Sequence, residues 1–113
     1  AARNKANRGK GKRWESGHHY KVAYWEVLNE IEFEHHWTPQ EYTKFYDAVT
    51  AAMRKVDPQI KFMALALAQP SEHLEMFEYF LNPKNHKSGA PLDFISYHFY
   101  ASSSADQTLD HWQ

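Results

Sequence analysis

The sequence contains no cysteine, and this absence excludes several classes of site. Without cysteine the chain cannot form disulfides, bind a metal through thiolates or use a cysteine nucleophile. No apolar run approaches the roughly 18 residues that a membrane-spanning helix needs, and no N-x-[ST] glycosylation sequon is present. We therefore expect no membrane partner.

Phosphate-binding glycine motifs are also absent. Neither G-x-G-x-x-G nor the Walker pattern occurs, so nucleotide binding has little support and we expect no cofactor. Histidine pairs at 18–19 and 35–36, together with Glu32 and Glu34, offer potential metal ligands. However, adjacent residues point to opposite sides of a strand, and no H-E-x-x-H pattern exists. We expect no metal site.

The charge is unevenly distributed along the chain. Six of the 13 basic residues precede Trp14 and no acidic residue does, so a basic segment joins an acidic body. Such a segment is a nucleic-acid arm in some proteins and a solvated loop in others. No aromatic residue is interleaved with these charges, which favours the loop, and we expect no nucleic-acid partner. We assign residues 1–19 to a basic irregular segment and 20–113 to one folded unit.

The folded unit shows alternating strand and helix patterns. Runs rich in β-branched, aromatic or apolar residues predict strands over 20–30, 60–67 and 92–100. Helices are predicted over 39–56 and 71–81. This alternation is typical of successive right-handed βαβ units with a parallel sheet.

The first helix carries the clearest local signals. Thr38 is placed as the N-cap, Pro39 as the first helical residue, and Glu41 completes a capping box. Its predicted inward face consists of Tyr42, Phe45, Tyr46, Val49, Met53 and Val56. The second helix is predicted to turn Leu74, Phe77 and Leu81 inward.

Two architectures use such units: an open doubly wound sheet and a closed (β/α)8 barrel. In both, function lies at the carboxyl ends of the strands. Asn29 and Glu30 end the first strand, and His98 and Tyr100 end the third. Strand alternation places His98 and Tyr100 on one face of the third strand. If the sheet closes into a barrel, one face of each strand points into the lumen, and Glu30 and His98 are then expected to converge at one rim.

The chemistry at this rim depends on Glu30. A carboxylic acid among apolar neighbours is disfavoured in its ionised form and can serve as a general acid. Glycoside hydrolysis needs such an acid and a second carboxylate. Glu26 lies four residues earlier, about 13 Å away along a strand, which is too far for either mechanism. We expect Glu26 to be a hydrogen-bonded structural residue.

The residues alone leave other readings open. Glu30 fits an ion pair or cap as well as a catalytic acid, and Asn29 fits a turn. His98 fits a core position.

A longer pattern carries a resemblance to a known family. The stretches SGHHYKVAYWEVLNEIEFEHHWTPQEYTKFYDA, RKVDPQIKF and PLDFISYHFYA cover roughly residues 16–101. WEVLNE resembles the fourth-strand motif of clan A glycoside hydrolases. The whole pattern is similar to family 39, which includes β-xylosidases and α-L-iduronidases. One departure is Ile31, where many relatives have proline.

The resemblance implies part of a (β/α)8 TIM barrel, its fourth to sixth strands. It implies that Glu30 is the general acid/base of a retaining enzyme and that Asn29 binds a sugar hydroxyl. His98 and Tyr100 would line the subsite. The family's nucleophile is a glutamate on strand seven, which would lie outside this chain.

The loop that follows Glu30 also points to the substrate. His35, His36 and Trp37 are expected to contact a carbohydrate.

A second function class stays open at this point. A partial barrel leaves sheet edges and apolar faces uncovered, which favours association with another chain. The chain is then a non-catalytic carbohydrate-binding or assembly fragment, and its partner is the remainder of the barrel or a second copy.

Overall fold

The computed structural model describes residues 20–99, in which strands and helices alternate as predicted. The elements are β1 (Tyr24–Glu26), α1 (Pro39–Val56), β2 (Lys61–Leu67), α2 (Leu74–Phe80), a 3-10 turn (Pro83–Asn85) and β3 (Phe94–Tyr97). The predicted basic segment 1–19 and the predicted subsite residue Tyr100 lie outside the described residues.

The described strands form a parallel sheet in the order β1-β2-β3. Tyr24 pairs with Lys61, and Met63 pairs with Phe94. Sequential order and parallel direction are what consecutive βαβ units produce. Three strands form an open sheet, since closing a barrel takes more of them.

β1 is much shorter than the strand predicted over 20–30. Regular pairing ends at Glu26, because Leu28 and Glu30 have φ angles of 67° and 45°, outside the β region. The prediction failed here because Val, Tyr and Trp favour an extended backbone but do not indicate at which residue pairing with the next strand stops.

The core lies between the two helices and the helix-facing side of β2. Tyr46 of α1 packs edge-on against Phe62, with ring centroids 6.5 Å apart, and against Phe80 of α2 at 5.0 Å. All three side chains are fully buried. These aromatic contacts set the height of the helix layer above the sheet.

The predicted inward face of α1 is confirmed except at its end, whereas that of α2 is largely wrong. Tyr42 and Tyr46 are fully buried, whereas Val56 is 87% exposed. The other predicted residues of α1 pack partly against the core: Phe45, Val49 and Met53. Three polar residues of α1 are buried as well: Thr43, Asp47 and Thr50. In α2 Met76 and Phe80 are buried and Phe77 packs partly against the core, as predicted for Phe77, but Leu74 and Leu81 are exposed. The apolar residues of α2 surround the helix, so their spacing could not single out one face.

Buried Asp47 is explained by a contact beyond its own helix. Its carboxylate accepts hydrogen bonds from the backbone N–H of Lys87 at 2.6 Å and lies 2.7 Å from His86 Nδ1. His86 Nε2 lies 2.5 Å from the carbonyl oxygen of Phe80. Both ring nitrogens therefore lie against oxygen atoms, and these contacts fasten the segment after α2 to α1.

The start of α1 follows the predicted capping box. The Thr38 hydroxyl accepts a hydrogen bond from the Glu41 backbone N–H, and the Glu41 carboxylate accepts one from the Thr38 backbone N–H. The backbone and hydroxyl bonds from Thr38 lower the pKa of Glu41.

No helix within residues 20–99 combines the length and apolarity that a bilayer crossing requires.

Asp93 fastens the beginning of β3 to β2. Its carboxylate accepts hydrogen bonds from the Phe62 backbone N–H at 3.0 Å and from Lys61 Nζ at 3.1 Å, and it lies 3.5 Å from Arg54. Desolvation acts to raise the pKa of Asp93, but these bonds outweigh it and lower the pKa below its usual range.

We predict that Asp93→Asn makes folding less sensitive to acid. A lowered folded-state pKa stabilises the protein above the unfolded pKa of about 3.9, and this contribution is lost as pH falls through the folded value. Urea denaturation should show a loss of about 1–3 kcal/mol at pH 7 that shrinks below about pH 4.

Asp57→Asn is the matched control, since the Asp57 carboxylate accepts one exposed backbone hydrogen bond, from Gln59. A pH-independent offset between wild type and Asp93→Asn would contradict the assignment.

Candidate active site at the carboxyl edge of the sheet

Glu30 and His98 meet at the carboxyl edge of the sheet although 68 residues separate them. His98 Nδ1 lies 2.8 Å from Glu30 Oε1, and the two side chains are 30% and 14% exposed. Glu30 follows the end of β1, and His98 follows the end of β3. The expected convergence is therefore present, although regular strand alternation on β1 ends at Glu26.

The backbone of Glu30 is held on both sides of its Cα atom. Its N–H donates to the Ala66 carbonyl at 3.0 Å, and its carbonyl accepts from the N–H groups of Phe33 and Glu34 at 3.0 and 2.7 Å. Its φ of 45° is a left-handed conformation that costs a non-glycine residue on the order of 1 kcal/mol. The surrounding hydrogen bonds keep the carboxyl group in this orientation.

His98 owes its position to an irregularity in β2. Leu65 and Ala66 have φ angles of 81° and 46°. The pairing with β3 shifts there, from Leu65 opposite Ser96 to Leu67 opposite Tyr97. The next bond runs from the His98 N–H to the Leu67 carbonyl at 2.8 Å. Such an extra residue redirects side chains at a sheet edge.

Asn29 lies beside Glu30 and is exposed. Its Nδ2 donates to Glu34 Oε1 at 3.2 Å. The side chain is thus accessible from solvent, and its predicted sugar contact stays a prediction.

Glu26 takes part in a hydrogen bond across the sheet. Its Oε1 accepts from the Ser96 hydroxyl on β3. On β2, Met63 is opposite Glu26 and Leu65 is opposite Ser96. The bond between Glu26 and Ser96 therefore crosses β2 on the face of the sheet that carries these two side chains. A hydrogen-bonded structural role is the one expected from its distance along β1.

In the loop after Glu30, Trp37 packs against α1 and His35 contacts Trp37, whereas His36 is exposed. The Trp37 indole packs edge-on against Phe45, with centroids 4.9 Å apart, and the tilted His35 ring lies beside it at 5.8 Å. Trp37 also lines an open groove of about 420 Å³ that includes Lys44. These contacts are made with the helix layer, and the carbohydrate contact expected for the three residues stays a prediction.

The candidate metal ligands of this loop are not brought together. Within residues 20–99, no group of three or more histidine, aspartate or glutamate side chains has a geometry that would hold a metal ion.

Glu32, which the sequence offered only as a potential metal ligand, is buried beside the end of β2. It is 8% exposed, and its Oε1 accepts the backbone N–H of Gln69 at 2.8 Å. Its Oε2 is buried without a hydrogen-bond partner among the residues that the structure describes. Glu32 therefore ties the loop after Glu30 to the end of β2. Its position between apolar Ile31 and Phe33 was the available signal.

The comparisons with known proteins give one match. No curated protein and no solved structure matches the chain. The sequence profile described as "Glycosyl hydrolases family 39" matches residues 13–112, which include every residue that the structure describes. This family is a family of glycosidases, enzymes of carbohydrate metabolism, and it implies a clan A fold of the TIM-barrel type. A parallel α/β sheet whose carboxyl edge bears Glu30 and His98 accords with that match, and the chain belongs to glycosyl hydrolases family 39.

Proposed function

We propose that the chain carries the acid/base half of the active site of a retaining glycoside hydrolase. In this proposal β1, β2 and β3 are the fourth, fifth and sixth strands of a (β/α)8 barrel. The observation that carries it is the contact between Glu30 and His98 at the carboxyl edge of a parallel sheet in a family 39 chain. That edge is where barrel enzymes place their active sites.

Glu30 acts twice in the proposed reaction. As an acid, it gives its proton to the glycosidic oxygen while the bond to the anomeric carbon breaks and a second carboxylate forms a covalent bond to that carbon. As a base, the resulting Glu30 carboxylate takes a proton from water while the water oxygen displaces the enzyme carboxylate. The net change is hydrolysis with retained anomeric configuration.

The residues around Glu30 have supporting roles in the proposal. His98 orients the Glu30 carboxyl group through the 2.8 Å contact. Asn29, exposed beside it, binds the sugar hydroxyl next to the reacting carbon, and Tyr100 lines the same subsite. A carboxyl group held in one rotamer loses less entropy on reaching the transition state.

We assign the nucleophile to a part of the protein outside this chain. Glu26 is not given this role, because it lies within the paired part of β1, before the chain turns to present Glu30. Its hydrogen bond with Ser96 gives it a structural role instead.

Replacing Glu30 by glutamine should abolish acid catalysis. In the complete protein we expect Glu30→Gln to lower kcat/KM for phenyl β-xyloside by about 10²–10⁴-fold, the usual value of general acid–base catalysis. Turnover of 2,4-dinitrophenyl β-xyloside should be rescued in part by azide, which replaces water as the attacking group without needing a base.

Glu26→Gln is the matched control for this experiment. Any activity that it loses should not return with azide, because a structural carboxylate does not activate water. Undiminished hydrolysis by Glu30→Gln, or azide rescue confined to Glu26→Gln, would remove Glu30 from the mechanism.

The outer strands supply an observation that favours a second role, in assembly. Among residues 20–99, β1 and β3 each pair on one side only. Large apolar side chains on and beside them are more than 40% exposed: Tyr24, Phe94, Ile95, Tyr97 and Phe99. Open edges and apolar faces of this kind pair with another chain or another part of the same protein. We infer that this surface receives the remainder of the barrel.

The 113-residue chain on its own should therefore self-associate and show no glycosidase turnover. We expect light scattering to give at least twice the 13.3 kDa mass of one chain, and Ile95→Lys to reduce that mass. Leu81→Lys is the control, since Leu81 is also exposed but follows α2 and belongs to none of the strands. A monodisperse monomer would contradict the assembly role, and turnover by the chain alone would contradict the placement of the nucleophile.

A further inference from the structure

The hydroxyl of Tyr42 lies at a place in the sheet where a backbone hydrogen bond is expected. The ladder between β1 and β2 includes the bond from Lys61 N–H to the Ala23 carbonyl, 2.8 Å, and the bond from Val27 N–H to the Met63 carbonyl, 3.0 Å. In a parallel ladder the next bond would run from the Leu65 N–H to the Val27 carbonyl.

Tyr42 occupies that bond. Its hydroxyl accepts the Leu65 N–H at 2.8 Å and donates to the Val27 carbonyl at 3.1 Å. A side-chain oxygen from α1 is therefore inserted between two strands, and both backbone groups remain paired through it.

The backbone becomes irregular on both strands at this point. Positive φ angles occur just after β1, at Leu28 and Glu30, and within β2, at Leu65 and Ala66. The next direct bond joins the Glu30 N–H to the Ala66 carbonyl at 3.0 Å. Strained residues cluster where the surrounding structure determines them, and here they border the inserted hydroxyl.

The hydroxyl has the chemistry that this position requires. Tyr42 is fully buried, and burial raises the pKa of its phenol well above the usual value. The phenol therefore keeps its proton, and a neutral phenol can donate one hydrogen bond while it accepts another.

We propose that Tyr42 is a positioning residue for Glu30, holding β1 and β2 apart so that the chain after Val27 turns and presents the Glu30 carboxyl group to His98. This inference rests on the proposed function of Glu30. Without the hydroxyl, the Leu65 N–H and the Val27 carbonyl can meet directly. The ladder then continues, and Glu30 moves away from His98.

Tyr46 provides a matched control on the same helix. It lies one turn after Tyr42, is also fully buried, and its hydroxyl donates to the Pro91 carbonyl at 2.8 Å. Pro91 precedes β3, at the opposite end of the strands from Glu30. Tyr42→Phe and Tyr46→Phe each remove one buried hydroxyl from the core, so a purely structural role predicts similar effects for both.

The kinetic test compares two leaving groups in the complete protein. Phenyl β-xyloside needs a proton from Glu30 for bond cleavage, and 2,4-dinitrophenyl β-xyloside does not. We expect Tyr42→Phe to lower kcat/KM for the phenyl substrate by about 10–100-fold, the scale of a misplaced catalytic group. The dinitrophenyl substrate should change by less than about threefold. Tyr46→Phe should leave the ratio of the two rates unchanged.

Equal losses on both substrates, or the same ratio in Tyr42→Phe and Tyr46→Phe, would overturn the proposal. If Glu30→Gln itself shows no leaving-group dependence, the proposed function fails instead. In that case a crystal structure of Tyr42→Phe still tests the positioning. We expect Leu65 N and the Val27 oxygen within about 3.2 Å of each other and the Glu30–His98 contact broken. An intact Glu30–His98 contact in that variant would overturn the role of Tyr42.

Discussion

The insertion of the Tyr42 hydroxyl between Val27 and Leu65 is the constraint on which the site geometry depends. A parallel ladder that continued would keep β1 extended and alternate its side chains between the two faces. The ladder stops instead, and the chain enters the left-handed region at Leu28 and Glu30. The orientation of the Glu30 carboxyl group therefore depends on a helix residue that follows it by twelve positions in the chain.

The helix layer can act in this way because it is rigidly packed. Tyr46, Phe62 and Phe80 form a continuous aromatic contact between α1, β2 and α2. The capping box at Thr38 sets the start of α1, and the pairing of Asp47 with His86 and Lys87 holds its middle. A hydroxyl at the end of a tyrosine ring can separate two strands only if the ring cannot move, and this close packing supplies that restraint.

The carboxyl edge of the sheet collects polar groups with different tasks. Glu30 and His98 contact each other, Glu26 is bonded to Ser96 lower on the same sheet, and Glu32 is tied to the Gln69 backbone. Three carboxylates within seven residues thus have three different environments. The difference arises from the neighbour that each one meets, since their residue type is the same.

Several features could be predicted from the sequence. Local patterns predicted the alternation of strands and helices, the parallel sheet and the start of α1 at Thr38, because such patterns depend on neighbours close in the chain. The motif residues indicated the family. The meeting of Glu30 with His98 also followed, since parallel strands end at a common edge. Spacing alone misassigned the inward face of α2, where Met76 and Phe80 are buried instead of Leu74 and Leu81.

The sequence by itself determined which residues reach the carboxyl edge of the sheet, because each of them follows a strand-forming run and the intervening helices make successive strands parallel. Only the tertiary structure decided how Glu30 is presented there. That presentation depends on where the β1–β2 ladder ends, and the ladder ends where Tyr42, brought in by helix packing, takes the place of a backbone bond. Contacts between residues distant in the chain leave no periodic signal, so pattern reading extended the strand to Glu30 and the packed structure ended it at Glu26.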